Sequence, residues 1–158
     1  MAPVVSELAR WPSAQAHVLV TAQHRQLLDQ VLQLFEITPD YDLDIMTANQ
    51  DPSDVFVQVL ERIRPVLDEL RPNWVLVQGD TTTVLAATLA AAYLRIPVGH
   101  VESGLRTYDT TNPFPEEINR VLTDHASSLH FAPTENARSA LLREGIPESS
   151  VYVTGNTV

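Results

Sequence analysis

Three acidic residues stand where side chains do chemistry in alternating strand–helix sequences. Asp80 follows a compact apolar run at 73–78, Glu102 follows a second at 97–101, and Glu116, with Glu117 beside it, opens a helical stretch behind Pro115. Carboxylates so placed move protons or accept hydrogen bonds from hydroxyls, and crowding in a desolvated cleft raises one pKa while another stays ionised. Each also has a bland reading. Asp80 fits an N-cap for the helix starting Thr81-Thr82-Thr83, worth about 1 kcal/mol. Glu116 and Glu117 fit a first helical turn after proline, where the helix dipole favours acids. Glu102 sits at a strand–loop junction that needs no cap, and its bland partner is Arg106. His100, inside an apolar strand, reads as a hydrogen-bonded core group.

The elements that must position these acids alternate along the chain. Helical spacing covers 4–11, an apolar strand 16–20 and a helix 25–35 whose leucines and valine give it a broad buried face. The polar segment 41–53, whose one short apolar pair is Ile45-Met46, reads as a loop with a short edge strand. A 3.6-residue stripe over 54–70 is interrupted by Pro65, which predicts a bent or two-part helix. Strand 73–78, an alanine-rich helix 81–94, strand 97–101, a long loop 102–113, helix 115–126, strand 129–132, helix 134–144 and strand 151–154 follow. Central strands that are continuously apolar, separated by helices, predict a doubly wound, mostly parallel α/β sheet of the Rossmann-like kind. Ligands of such sheets bind beyond the carboxyl ends of the strands, where the three acids fall. The chain opens on a helix where this class opens on a strand. The expectation is therefore a single incomplete domain over 1–158, without its first strand and without a second, nucleotide-binding domain.

Composition narrows the function classes. All ten basic residues are arginine against twenty acids, so the 158-residue chain carries a formal charge of −10 and no lysine for a P-loop or a Schiff base. Without a basic cluster, nucleic acid is not an expected partner. Cysteine is absent, which permits a reducing compartment and excludes thiolate ligands; the protein is expected in the cytoplasm. The longest apolar stretch, 84–94, is about half of what spans a bilayer, so no membrane association is expected. No Gly-x-Gly-x-x-Gly and no helical zinc spacing occurs, so no cofactor and no metal are expected.

Five segments carry a resemblance. Thr21-Ala22-Gln23-His24-Arg25, Gly79-Asp80-Thr81-Thr82-Thr83, Gly99-His100-Val101-Glu102-Ser103-Gly104-Leu105-Arg106, Pro115-Glu116-Glu117-Ile118-Asn119-Arg120 and Thr154-Gly155-Asn156-Thr157-Val158 together resemble the non-hydrolysing bacterial UDP-N-acetylglucosamine 2-epimerases, in order and across essentially the whole chain. The resemblance implies one Rossmann-like half of a two-domain GT-B arrangement that interconverts UDP-N-acetylglucosamine and UDP-N-acetylmannosamine by eliminating and re-adding UDP, without nicotinamide, for cell-surface polysaccharide precursors. It implies Asp80, Glu102 and Glu116 as the acids at the reacting sugar. Glu102 and Glu116 are the preferred acid/base pair, and Asp80 is a contact to a sugar hydroxyl or a supporting base. Asp80, Glu102 and Arg106 are expected to touch substrate. Gln23, Gln26, Gln50 and Glu116 match positions that bind a second, activating UDP-N-acetylglucosamine in some members; their Arg-Gln pair here reads Asn49-Gln50. The family also implies a homodimer to which residues 54–70 contribute. The rival readings are a GT-B glycosyltransferase half-domain and a non-catalytic UDP-sugar-binding module. The chain alone is expected to be inactive.

Overall fold

A computed structural model describes residues 1–22, 25–47 and 49–156, which fall into two compact units, one within Met1–Asp51 and the other spanning Pro52–Asn156. The first holds α1 (Ala2–Leu8), β1 (Leu19–Val20), α2 (Arg25–Leu34) and β2 (Tyr41–Asp42). The two short strands pair in parallel, with Leu19 opposite Tyr41. The second strand opens the polar segment 41–53, ahead of the apolar pair Ile45-Met46. Backbone bonds from Leu43 to Val20 and from Ile45 to Thr21 continue past the ladder, and Ile45 fills a buried position in the loop beyond it. The broad buried face expected of α2 is not found: Leu27, Val31 and Leu34 are exposed, because two strands of two residues each offer a helix little surface to cover. Arg25 holds Asp42 at 2.5 Å and Asp44 at 2.8 Å, and its hydrogen bond keeps the Asp42 carboxyl below the usual range.

The second unit runs α3 (Pro52–Leu70), β3 (Val75–Gln78), α4 (Thr82–Tyr93), β4 (Val98–Val101), α5 (Glu116–Ala126), β5 (Leu129–Ala132), α6 (Glu135–Arg143), a 3-10 turn at Glu148–Ser150 and β6 (Val151–Val153). Its four strands form one all-parallel sheet in sequential order, β3-β4-β5-β6, the mixed α/β class expected. Every residue of β4 is buried, as a central parallel strand requires.

Helix α3 is continuous through Pro65. The ring sits on the exposed side, where water can replace the one backbone bond that proline removes. Its inner stripe is Val55, Val59, Ile63 and Leu67. Alanine gives α4 high helix propensity and little bulk, so Ala86 and Ala91 are completely buried. The helix ends as a Schellman motif: Arg95 turns left-handed at φ 58, and the amides of Arg95 and Ile96 return to the carbonyls of Ala92 and Ala91. Gly145 ends α6 in the same way, at φ 87 with bonds from Gly145 to Leu142 and from Ile146 to Leu141. That turn fixes Glu144, whose carboxylate has a partner described below.

Candidate active site

Parallel register brings the first two acids together. Gln78 at the end of β3 lies opposite Val101 at the end of β4, and the Gly79 amide extends the ladder to the Val101 carbonyl at 3.1 Å. Asp80 and Glu102 therefore leave adjacent strands at one edge of the sheet. Both turns are sharp. Gly79 and Gly104 sit at φ 83 and Glu102 at φ 67, the left-handed region that costs a residue with a Cβ about 1–3 kcal/mol and is concentrated at functional sites. The amides of Glu102 and Ser103 both donate to the Phe131 carbonyl, at 3.0 and 3.2 Å, so the strained turn is anchored on the next strand. The Glu102 carboxylate accepts from the Gln78 side-chain amide at 3.2 Å. Arg106, its expected bland partner, points elsewhere.

Helix α5 carries the third acid, Glu116, as its first residue. Its Arg120 donates to Asp80 Oδ2 at 2.6 Å, and its Asn119 amide donates to the Asp80 carbonyl at 2.9 Å. Glu116 precedes Arg120 by four residues, so the two occupy the same side of the helix. The N-cap of α4 is not Asp80 but Thr81, whose hydroxyl accepts from the Val84 amide at 3.4 Å. Asp80 is thereby left to face Arg120. The adjacent glutamates separate by role: Glu116 is half-buried, whereas Glu117 is buried and accepts from the amides of Thr107 and Tyr108 at 3.0 and 2.8 Å. Its other oxygen lies 3.5 Å from Arg120. One arginine thus links the acid at the end of β3 to the acid that pins the long loop.

Arg106 does not join the three acids. Its guanidinium is turned into the protein, with 2% of the side chain exposed, and makes a two-point contact with Glu144 at 2.8 and 2.7 Å and a 2.7 Å contact with Asp124. Its remaining amino group donates to the Leu105 carbonyl at 2.8 Å. Asp124 and Glu144 hold its charge inside. Asp124, completely buried, accepts from His100 Nδ1 at 2.5 Å, from Arg106 and from the Gly104 amide at 3.1 Å. Burial pushes its carboxyl up, but His100 and Arg106 outweigh burial and hold it below the usual range. Burial lowers the Arg106 pKa, and Glu144 and Asp124 more than restore it.

Of the residues expected to hold a second nucleotide sugar, Gln23 lies outside the described residues. Gln26 is exposed on α2. Gln50 turns onto its own loop, donating to the Ile45 carbonyl at 2.7 Å and accepting from the Thr47 amide at 2.8 Å. Glu116 belongs to the other unit.

This order of elements has counterparts among known proteins. The model of the UDP-N-acetylglucosamine 2-epimerase family matches residues 6–158. The chain belongs to that family. It is 58% identical over 158 residues to the UDP-N-acetylglucosamine 2-epimerase of Yersinia pestis and 56% identical to that of Escherichia coli K12, covering 100% of this chain and 42% of each relative. The chain thus spans under half the length of the curated relatives it matches. Among solved structures it is similar to the UDP-GlcNAc 2-epimerase of Neisseria meningitidis bound to UDP-GlcNAc, with TM-score 0.95, 53% identity and coverage of 99% of this chain and 43% of that one. The Methanocaldococcus jannaschii enzyme in complex with UDP-GlcNAc and UDP superposes with TM-score 0.92 at 43% identity, over 99% and 42% of the two chains.

Within the motifs that carry the family resemblance, sequence reasoning overlooked Arg120 and Glu117 as site-shaping residues; outside them it overlooked Asp124. A signal was present. Residues 117, 120 and 124 are polar at helical spacing, and α5 buries Glu117, Asn119, Thr123 and Asp124. A helix whose inner stripe is polar faces a site or a polar network, not an apolar core. Among the described residues no helix is long and apolar enough to cross a membrane.

Proposed function

We propose that Asp80, Glu102 and Glu116 form the sugar-facing wall of a UDP-N-acetylglucosamine 2-epimerase acting in the cytoplasm. What supports this reading is the Gln78–Val101 register, which sets Asp80 and Glu102 at the ends of adjacent strands, and the 2.6 Å Arg120–Asp80 pair, which brings the helix carrying Glu116 to Asp80. Such strand ends are where ligands of parallel sheets bind.

Epimerisation at C2 needs a proton taken from a weakly acidic carbon. The removal becomes feasible when the C1–O bond breaks in the same passage: the C2–H electron pair forms the C1=C2 double bond and UDP departs with the C1–O pair. Return of UDP to C1 and of a proton to the opposite face of C2 gives the other epimer. Two groups are required, one to take the proton and one to give it, each assisting by about 10²–10⁴. Glu102 and Glu116 fill these roles. The Glu102 carboxylate accepts from the neutral side-chain amide of Gln78. Asp80 is ion-paired with Arg120, so it serves as a fixed acceptor for a sugar hydroxyl. The assembly acts as a homodimer, with the outer side of α3, where Val57 is exposed, contributing to the contact.

The test uses the protein at its natural length with UDP-N-acetylglucosamine, followed by NMR. Appearance of UDP-N-acetylmannosamine supports the reading. Transfer of the sugar to an acceptor would point to a glycosyltransferase, and binding without conversion to a non-catalytic module; either result overturns it.

A further inference from the structure

The buried pair of His100 and Asp124 lies behind the acids, and its geometry is directional. His100 is completely buried in the middle of β4. Its Nδ1 meets Asp124 Oδ1 at 2.5 Å and its Nε2 meets the Gly79 carbonyl at 2.8 Å. A carbonyl only accepts, so Nε2 must carry a proton to make that bond. A carboxylate likewise only accepts, so it is a proton on Nδ1 that makes the contact to Asp124.

What the two contacts hold is specific. The Gly79 carbonyl belongs to the peptide plane that carries the Asp80 amide, and the Gly79 amide is already fixed to Val101. The ring therefore sets the rotation of the plane leading into Asp80. Asp124 Oδ2 takes the Gly104 amide at 3.1 Å, two residues beyond Glu102. Both turns carry left-handed glycines that would otherwise be free to rotate. The other groups facing this pair also lock it in place. From β5, His130 lies opposite His100 in register and its Nε2 donates to the Asp124 carbonyl at 2.8 Å. Arg106 pairs with Asp124, and Glu144 at the end of α6 pairs with Arg106.

We propose that His100 is a positioning residue for the reaction: through Nε2 it aims the turn bearing Asp80, and through Asp124 it keeps that turn in step with the one bearing Glu102. The inference deepens the epimerase reading and rests on it for the reaction it serves. The ring has no exposed surface of its own.

Two substitutions separate its two arms. His100→Gln places an amide donor near the position of Nε2 and keeps the bond to Gly79. His100→Asn places one near Nδ1 and keeps the bond to Asp124 alone. At natural length, His100→Asn should lower kcat about 100-fold, the scale of a misplaced reacting group, with KM within about three-fold of wild type. His100→Gln should recover at least about ten-fold of that loss. Equal losses in both variants that follow their melting temperatures, or no loss in either, overturn the proposal. A second readout is independent of activity: nitrogen-15 NMR of the histidine rings in the 158-residue chain. A proton on His100 Nε2 that couples to the Gly79 carbonyl supports the geometry, and an Nε2 without a proton overturns it. If the wild type shows that proton but no C2 chemistry, the epimerase reading has failed and the tie has not.

Discussion

Replacing Asp124 by asparagine removes one negative charge from the middle of the second unit and leaves its partners in place. Asp124 accepts from His100 at 2.5 Å, Arg106 at 2.7 Å and Gly104 at 3.1 Å, and neither Asp124 nor His100 has exposed side-chain surface. Asparagine keeps one acceptor oxygen but turns an NH₂ group toward donors that previously met a carboxylate. Removing one member of a buried ion pair costs about 3–5 kcal/mol, because the charge left behind has neither water nor a counter-ion. Glu144 still pairs with Arg106, which argues for the lower half of that range. For a chain of this size each kcal/mol moves the melting temperature by about 2–4 °C, so the variant should melt about 6–16 °C below wild type. The measurement is thermal unfolding by far-ultraviolet circular dichroism of both proteins at pH 7. A variant that melts within about 2 °C of wild type would refute the reasoning, since the cluster would then contribute nothing as an ion pair.

Other outcomes follow from the same contacts. Because the folded state holds the Asp124 carboxyl below its ordinary value, the associated stability is complete above about pH 4 and is lost as pH falls through the folded value; acid unfolding of Asp124→Asn should therefore be shallower below pH 4 than that of wild type. Gly104→Ala should destabilise by about 1–3 kcal/mol in urea unfolding, since the position lies at φ 83 and an added Cβ would come within 2.4 Å of the Ala137 carbonyl oxygen. Glu117→Gln keeps one acceptor for the Thr107 and Tyr108 amides but removes the charge 3.5 Å from Arg120. It should cost about 1–3 kcal/mol and speed amide hydrogen exchange at Thr107 and Tyr108.

How much of this was legible in the residues depends on the length scale of the interaction. The alternation of strands and helices in the second unit was readable because its central strands are short apolar runs separated by longer helical stretches. Asp80 and Glu102 were readable as neighbours because parallel topology sends strand ends to one edge. Partner choice was not. Nothing local tells Asp80 to face Arg120, 40 positions away, rather than cap its own helix, and nothing local tells Arg106 to reach Glu144, 38 positions away. These contacts are fixed by how α5 and α6 lie against the sheet. The helix at Arg25–Leu34 failed for the opposite reason: periodicity shows that a face is apolar, not that another element covers it.

The most direct test of the three-acid wall is deuterium exchange at C2 of UDP-N-acetylglucosamine in heavy water, followed by proton NMR, with the protein at natural length and its Asp80→Asn, Glu102→Gln and Glu116→Gln variants. Loss of the C2 proton signal with wild type, slowed by about 10²-fold or more in Glu102→Gln and in Glu116→Gln and more modestly in Asp80→Asn, is the predicted result. Exchange at wild-type rate in all three variants would contradict it.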